Sequence, residues 1–524
     1  MSFSMKYFLI FFSALFVIIN INAQDNNRSR AEIVMKSSPE DWAVVPVEKE
    51  GVIAFAEVQK GKLTFTRFDT TLTEQFNIDC SFNRSLDLIK YTYYDGYLYL
   101  LFGGKRRTEY QAIRLSINAG YAERFDFYAI KDLDVGDFKA IGNDLYIGAT
   151  TRSEPMLLHV NLLTKKTRIL PSAFKGKTQI QSMEIDKITQ QVNVAFANNY
   201  KNDYKMIVKS YGREGTETKQ LQVSAANDKR LLTGKLSSLN ATDELMIGTY
   251  GLRSNGNKEY SQGMYFSKIN IGDENPLYTK YYSFTDFKNF FKFQSERQQV
   301  RMERKIKQAK SHGKDLKLDY RLLVHNVIEK NDQYIVVAEA YYPTYRSNNN
   351  YNNGFGSFGG FGIGFGGFGY SPYNMGGFNQ WGSPYRNNQV FDGFQYTHAV
   401  ITGFDKQGNM LWDNIIELND VKLFRLKEQV KVSFSGENVV LAYSFRGALK
   451  SKVIRGSQIV EGKTDVPITT EFANDKIRKN ETSNVEYWYN NYFLVWGFQK
   501  ISNNSQNDQI RGRRNVIYCN KISF

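Results

Sequence analysis

A short apolar run, four to seven residues long and entered through a tight polar turn, recurs along the chain. Such runs begin at Val52, Tyr97, Leu145, Val192, Leu245, Tyr334, Val439 and Tyr492, in the texts GVIAFAEV, DGYLYLLFGG, NDLYIGATT, QQVNVAFANN, DELMIGTYG, NDQYIVVAEAYY, ENVVLAYSFRG and NNYFLVWGFQ. Asp-Gly, Asn-Asp, Asn-Asn and Gly-Glu-Asn suit hairpin turns, because Asn, Asp and Gly tolerate the positive φ that tight turns require. The residues that follow suit largely buried strands.

The first four intervals and the last are each close to 50 residues, the range of a four-stranded propeller blade. Four strands can be counted within one interval, at 97–102, 110–117, 122–129 and 138–141, the last leading into the next turn. Lettered A to D from the centre outwards, the recurring run is strand B and the turn before it is the A–B hairpin. The expected fold is all-β, a single β-propeller over 28–524 with about eight four-stranded blades. Seven is the alternative, if one irregular hairpin imitates a blade. After 492–498 only one more strand remains, 516–524, so the last blade lacks an outer strand. A spare strand at 31–36 precedes the first A strand at 42–47. Pairing the spare strand with the C-terminal one closes the ring and hides two edges.

The stretch Ile401-Thr-Gly-Phe-Asp405-Lys-Gln-Gly408-Asn-Met-Leu-Trp412 carries an apolar strand, a D-x-x-G-N hairpin and a following Leu-Trp. It resembles the repeats of exported bacterial β-propellers of the quinoprotein-like and WD-like class. The resemblance is to an architecture. It implies no catalytic residue and no cofactor, since one fold hosts many functions.

Composition adds an address. Lys6 followed by the apolar run 7–19 and by Ala23 has the form of a signal peptide over 1–23, with cleavage before Gln24. The run is short for a membrane span, and no later stretch is long and apolar enough to be a helix that crosses a bilayer. The expected location is exported: periplasmic, outer-membrane-associated or extracellular. Cys80 and Cys519 are either one bridge or two buried thiols acting as small apolar residues. The formal net charge of +15 favours anionic partners, namely lipid headgroups, acidic glycans or nucleic acid, of which export makes nucleic acid the least expected, or else is a scattered solvated surface; the expected partner is a protein or an anionic envelope component, a glycan or lipid headgroup.

Two insertions interrupt the period. In the first, 285–319, Ser295-Glu-Arg-Gln298 is a capping box and Gly313 a helix stop. Met302, Ile306 and Ala309 form a narrow apolar stripe, and Arg297, Arg301, Arg304, Lys305, Lys307 and Lys310 cover most of the remainder. This is a basic helix, either offered to an anionic partner or simply solvated. The second, 345–390, is rich in Asn, Gly and Phe. Its Phe355, Phe358, Phe361, Phe365, Phe368, Tyr370 and Trp381 sit among glycines too frequent for a fixed fold, and read as an adaptable partner contact or a neutral loop expansion. The helix lies in a D–A connection and the Gly/Phe segment in a B–C connection. In a propeller these emerge on the same face, so that face is the candidate binding surface.

Other motifs carry little. Gly354-Phe-Gly356-Ser-Phe-Gly359 matches a dinucleotide fingerprint as text but has no helix after it, and Gly462-Lys463-Thr464 lacks the upstream glycine of a phosphate loop. His159, His312, His325 and His398 have no metal spacing, and Asp132, Asp134 and Asp137 alone are a poor calcium site. No metal, cofactor or catalytic set is assigned. The leading expectation is a non-enzymatic binding or scaffolding module at the cell envelope. A propeller enzyme acting on a glycan or another extracellular substrate is the alternative, and an outer-membrane β-barrel with Phe524 at its terminus is third.

Overall fold

The computed structural model describes residues 29–347, 385–386, 389–505 and 512–524, apart from 105, 153, 173, 202, 227, 239–242, 256–257 and 271–275. Its strands form eight separate antiparallel sheets arranged in sequence around a central channel. We number these blades 1 to 8 from the sheet that begins at Trp42–Pro46. Eight separate sheets, rather than one sheet closed on itself, overturn the barrel reading, and the count settles on eight blades rather than seven.

The turn-and-run motif forms strand B of every blade. In blade 2, Asp87–Tyr94 and Tyr97–Gly103 are joined by Asp95 and Gly96, with φ of +48° and +74°. Both central residues are left-handed, as in a type I′ turn, whose twist matches that of the strands it joins. Strand B is apolar at successive positions, not alternate ones, because each blade is covered by a neighbour on both faces. Leu98, Tyr99, Leu100, Leu101 and Phe102 are all buried. The core accordingly divides into clusters between adjacent blades, the largest joining blades 8, 1 and 2.

The ring closes as the sequence predicts. Arg30–Met35 pairs antiparallel with Gly512–Ser523, with Ala31 opposite Cys519, and supplies the outer strand of blade 8. Trp42 meets Trp496 edge-on at 5.5 Å across the same seam. Both cysteines are free thiols, Cys80 half-buried and Cys519 buried, and burial pushes the Cys519 thiol up to about 12.

Two departures from the sequence reading matter for function. The innermost strands of blades 5 and 6 are broken, into Lys229–Leu231 with Lys235–Ser238, and Arg321–Val324 with Ile328–Lys330. And the stretch 284–294, unassigned in the sequence reading, is an aromatic wedge driven between blades 5 and 6; helix α1 itself spans Glu296–Ser311, between the capping box and the Gly313 stop as expected.

Candidate functional site

Strand direction alternates within a blade, so every B–C and D–A connection leaves on one face. Helix α1 lies between Tyr278–Ser283 (strand D of blade 5) and Arg321–Val324 (strand A of blade 6). The Gly/Phe segment leaves strand B of blade 6 at Ser347 and returns to strand C at Gln389, which pair with each other. Both insertions therefore depart from and return to the same face.

Helix α1 is pinned at its two ends. Before it, Phe284 and Phe290 stack at 4.2 Å, and Phe293 lies flat on His398 at 3.9 Å. The backbone N–H groups of Lys288 and Asn289 donate to the buried Asp413 carboxylate at 2.9 and 2.7 Å. After it, Gln262 accepts from Leu318 N–H at 3.0 Å and donates to Leu318 O at 2.7 Å, while Ser261 N–H donates to Tyr320 O at 2.8 Å. Between the pins the helix touches little: Met302, Ile306 and Ala309 are half-buried and no helix residue is fully buried. The predicted cap is present, with Ser295 N–H donating to Gln298 Oε1 at 3.1 Å, and Gly313 ends the helix at φ +62°. Arg297, Arg301, Arg304, Lys305, Lys307 and Lys310 are all exposed. Among the described residues only Lys310 of this set makes an ion pair, with Asp286 at 2.6 Å.

The B–C loop of blade 5 stands beside the helix and forms walls of two depressions. Lys258 and Tyr260 face a groove of about 490 Å³ that is completed by Met302 and Lys305 of the helix and by Lys317 and Tyr320. Glu259 and Ser261 instead face a cavity of about 180 Å³ between blades 4, 5 and 6. Lys177, Arg230 and Arg321 line this cavity together with Tyr204 and Tyr341. It exists because strand A of blade 5 breaks: Leu232 N–H donates to Thr249 O at 2.9 Å, and Thr233 O comes so near Gly248 that a Cβ there would lie 1.9 Å away. Arg230, 2 % exposed, has its guanidinium over the Tyr204 ring at 5.4 Å, and Arg321 lies over Tyr260 at 5.0 Å. Burial raises the Glu259 carboxyl above its ordinary range, against the pull of Arg321, Lys177 and Arg230.

A second charged region lines the channel. Glu184 of blade 4 meets Lys139 of blade 3 at 4.0 Å and Lys235 of blade 5 at 3.4 Å, and accepts from Asn326 at 3.1 Å. Lys431 of blade 7 bridges Glu428 at 3.5 Å and Glu486 of blade 8 at 2.9 Å. His325 lies 3.0 Å from Glu339, whose Oε1 also accepts from the N–H groups of Gln429 and Val430 at 2.7 Å. Burial pushes the Glu428 carboxyl up, but His325, Lys431 and Lys235 together bring it down to about 2. Burial likewise brings the Lys427 ammonium down to about 8, despite Glu486. Glu184 and Glu486 each face a lysine of a neighbouring blade, so the belt works first as a clasp between blades.

The remaining sequence candidates scatter. Phe355, Phe358, Phe361, Phe365, Phe368, Tyr370 and Trp381 lie outside the described residues, as does the dinucleotide-like text. His159 meets buried Asp144 at 2.8 Å. His398 is enclosed by Phe293, Phe290 and Tyr320, and burial lowers it to about 3. Asp132 accepts from Arg106 N–H at 3.1 Å while Asp137 faces Lys139 at 3.6 Å, so these carboxylates engage different partners. Gly462-Lys463-Thr464 lies within strand Gln458–Pro467. Sequence reasoning missed Lys177, Arg230, Glu259 and Arg321, which the fold assembles from three blades. One signal was available: Arg-Leu-Leu occurs at Arg230 and again at Arg321, each opening a broken innermost strand.

No protein-family model matches the chain, and no curated protein is similar to it. Among solved structures, a prolyl endopeptidase is similar at 8 % identity and a TM-score of 0.38. That likeness covers 84 % of this chain, which spans 50 % of the endopeptidase. The polysaccharide lyase Uly1 is similar at 8 % identity and a TM-score of 0.37, over 83 % of this chain and 89 % of the lyase. An acylaminoacyl peptidase of Pyrococcus horikoshii is similar at 6 % identity and a TM-score of 0.33, over 80 % of this chain and 51 % of the peptidase. Likeness at this level transfers no chemistry.

Proposed function

We propose that the protein is an exported, non-enzymatic binding module of the cell envelope that holds an anionic partner against its helix-bearing face. One observation carries this reading: a helix pinned at both ends presents five exposed cations that make no ion pair among the described residues, beside a groove that adds Lys258 and Lys317. Solvated surface helices usually intersperse both signs; a nearly single-signed face draws counter-charge and raises association rates. Tyr260 and Tyr320 in the groove give the apolar surface that sugar rings and lipid headgroup regions both accept. The Gly/Phe segment enters and leaves on this face, and is proposed as an adaptable second contact.

Gel retardation of the whole protein by immobilised acidic polysaccharide, neutral polysaccharide and anionic vesicles tests the reading. Retardation by an anionic matrix, abolished by the combined R301E, R304E, K305E and K307E changes, is expected. Equal mobility in neutral and acidic gels sinks it. A deletion of 346–388 that leaves every captured partner in place removes the Gly/Phe segment from the account.

A second reading, a glycan-active enzyme working in the channel, is favoured by the His325–Glu339 pair and its neighbouring carboxylates. Release of new reducing or unsaturated ends from a polysaccharide panel, lost in His325→Ala, would establish it; a blank panel retires it.

A further inference from the structure

The charged belt of the channel contains a pocket of about 240 Å³, walled by blades 7, 8, 1 and 2. Blade 1 gives it an apolar side, Val44, Val45 and Pro46, while Lys427, Glu428, Lys431 and Glu486 bring charge from the side of blades 7 and 8. Lys431 is held between the two carboxylates, 3.5 Å from Glu428 and 2.9 Å from Glu486. Lys427 makes no ion pair among the described residues, and its ammonium donates to one acceptor, Asn484 Oδ1 at 2.8 Å. An ammonium carries three donors, so the described residues answer only one of them. Glu486 meets Lys431 through Oε2, and its buried Oε1 has no hydrogen-bond partner among the described residues. A buried acceptor without a donor is destabilising, and a ligand that brings the donor recovers that loss.

Lys427 is placed before any ligand arrives. Its backbone N–H donates to the Tyr396 hydroxyl at 2.9 Å, and that hydroxyl donates to Lys427 O at 2.8 Å. One buried tyrosine thus clamps both backbone groups of the lysine, and Asn484 of blade 8 steadies its side chain.

Charge limits what the pocket can take. Lys427 and Lys431 stand against Glu428 and Glu486, so the four groups balance. A lone anion or a lone cation would leave an excess charge where burial already brings the Lys427 ammonium down to about 8. A zwitterion adds no net charge; it offers Lys427 an acceptor and Glu486 a donor. The side of Val44, Val45 and Pro46 answers an apolar group. The volume falls below the roughly 300 Å³ at which drug-sized ligand sites begin, and suits one small molecule, not a polymer.

We propose that this channel pocket binds a free α-amino acid with an apolar side chain, its carboxylate on Lys427 and its ammonium on Glu486. The site is separate from the helix-bearing face and does not rest on the reading of that face.

Calorimetric titration of the whole protein with leucine, valine and phenylalanine tests it, beside N-acetyl-leucine, which lacks the ammonium, and leucinamide, which lacks the carboxylate. At least one of the three amino acids should saturate the protein, with the acetylated and amidated forms weaker by about tenfold or more. Lys427→Met keeps an unbranched side chain and removes the charge. It should weaken amino-acid binding by about tenfold and leave leucinamide binding unchanged, at the parent's melting temperature. Should that variant fail to fold, the ligand series on the parent decides alone. No saturation by any of the three up to about 10 mM, equal binding of leucine and its two derivatives, or parental affinity in a folded Lys427→Met overturns the assignment. An acidic polysaccharide should leave amino-acid binding in place; displacement by it would put the ligand on the helix face and overturn the pocket. Retention of an anionic matrix by α1 is read separately, so either reading can fall without the other.

Discussion

An imidazole with no exposed surface, sandwiched by Phe293 and edged by Phe290 and Tyr320, has no room for a charge, and His398 is held at about 3. The sign of the consequence follows from linkage. In the unfolded chain the ring takes up a proton as pH falls below about 6.5, whereas the folded ring stays neutral until far lower. Stability from this site is therefore complete above about 6.5 and is lost as pH falls, by roughly 1.4 kcal/mol per unit. His398→Phe keeps a ring in the stack and removes the titration. Urea unfolding at pH 7 and pH 5 should show the parent losing about 2 kcal/mol more than the variant between the two.

At the scale of the element, ring closure rests on one strand borrowed from the front of the chain. Arg30 fixes it: its guanidinium donates to Gln499 at 2.8 Å, to Asn520 at 3.0 Å and to Thr469 O at 2.8 Å, and lies over Tyr518 at 4.5 Å. Beside it Glu32 pairs with Arg514, which also binds Asp475 at 2.6 Å. Arg30→Ala leaves these buried acceptors without their donor and should cost about 3 kcal/mol in a denaturant titration. An effect below about 0.5 kcal/mol would mean that the seam is held by the strand's backbone alone. This closure was legible in the sequence because it follows from counting strands, and strands announce themselves where turns demand Asn, Asp or Gly. Asn331 and Asn490, at φ of +48° and +49°, mark two A–B hairpins in that way. The broken innermost strands were not legible. In blade 5 the break goes with an approach of Thr233 to Gly248 across the hairpin, and a single glycine within an apolar run does not reveal what it must accommodate. Nor was the aromatic wedge before α1, because Phe284, Phe287 and Phe290 find their burial against two blades, not against one another's sequence neighbours.

At the scale of the whole molecule, the formal charge of +15 is not spread evenly. In the channel, cations are answered by carboxylates from adjacent blades, as Lys431 is by Glu486 and Lys235 by Glu184. On the helix, Lys310 pairs with Asp286, and the other five cations make no ion pair among the described residues. The sequence could show that α1 is basic and which face it occupies, because both follow from local text and strand parity. It could not show the cavity, whose cations come from positions 177, 230 and 321 and meet only when blades 4, 5 and 6 are set side by side. This division separates two electrostatic behaviours. Exposed cations are screened as the Debye length shrinks from about 10 Å at 0.1 M salt to about 3 Å at 1 M, whereas an enclosed guanidinium is screened far less. An anionic polymer held by the exposed cations of α1 should therefore lose most of its affinity between those salt concentrations. The quadruple charge reversal on α1 should mimic high salt. Each exposed pair contributes about 0.3–0.5 kcal/mol, so losing four should weaken polymer binding by about tenfold, and the remaining affinity should be nearly independent of salt. If the variant keeps the parent's salt dependence, the helix is a bystander and the steering charge lies elsewhere on the ring.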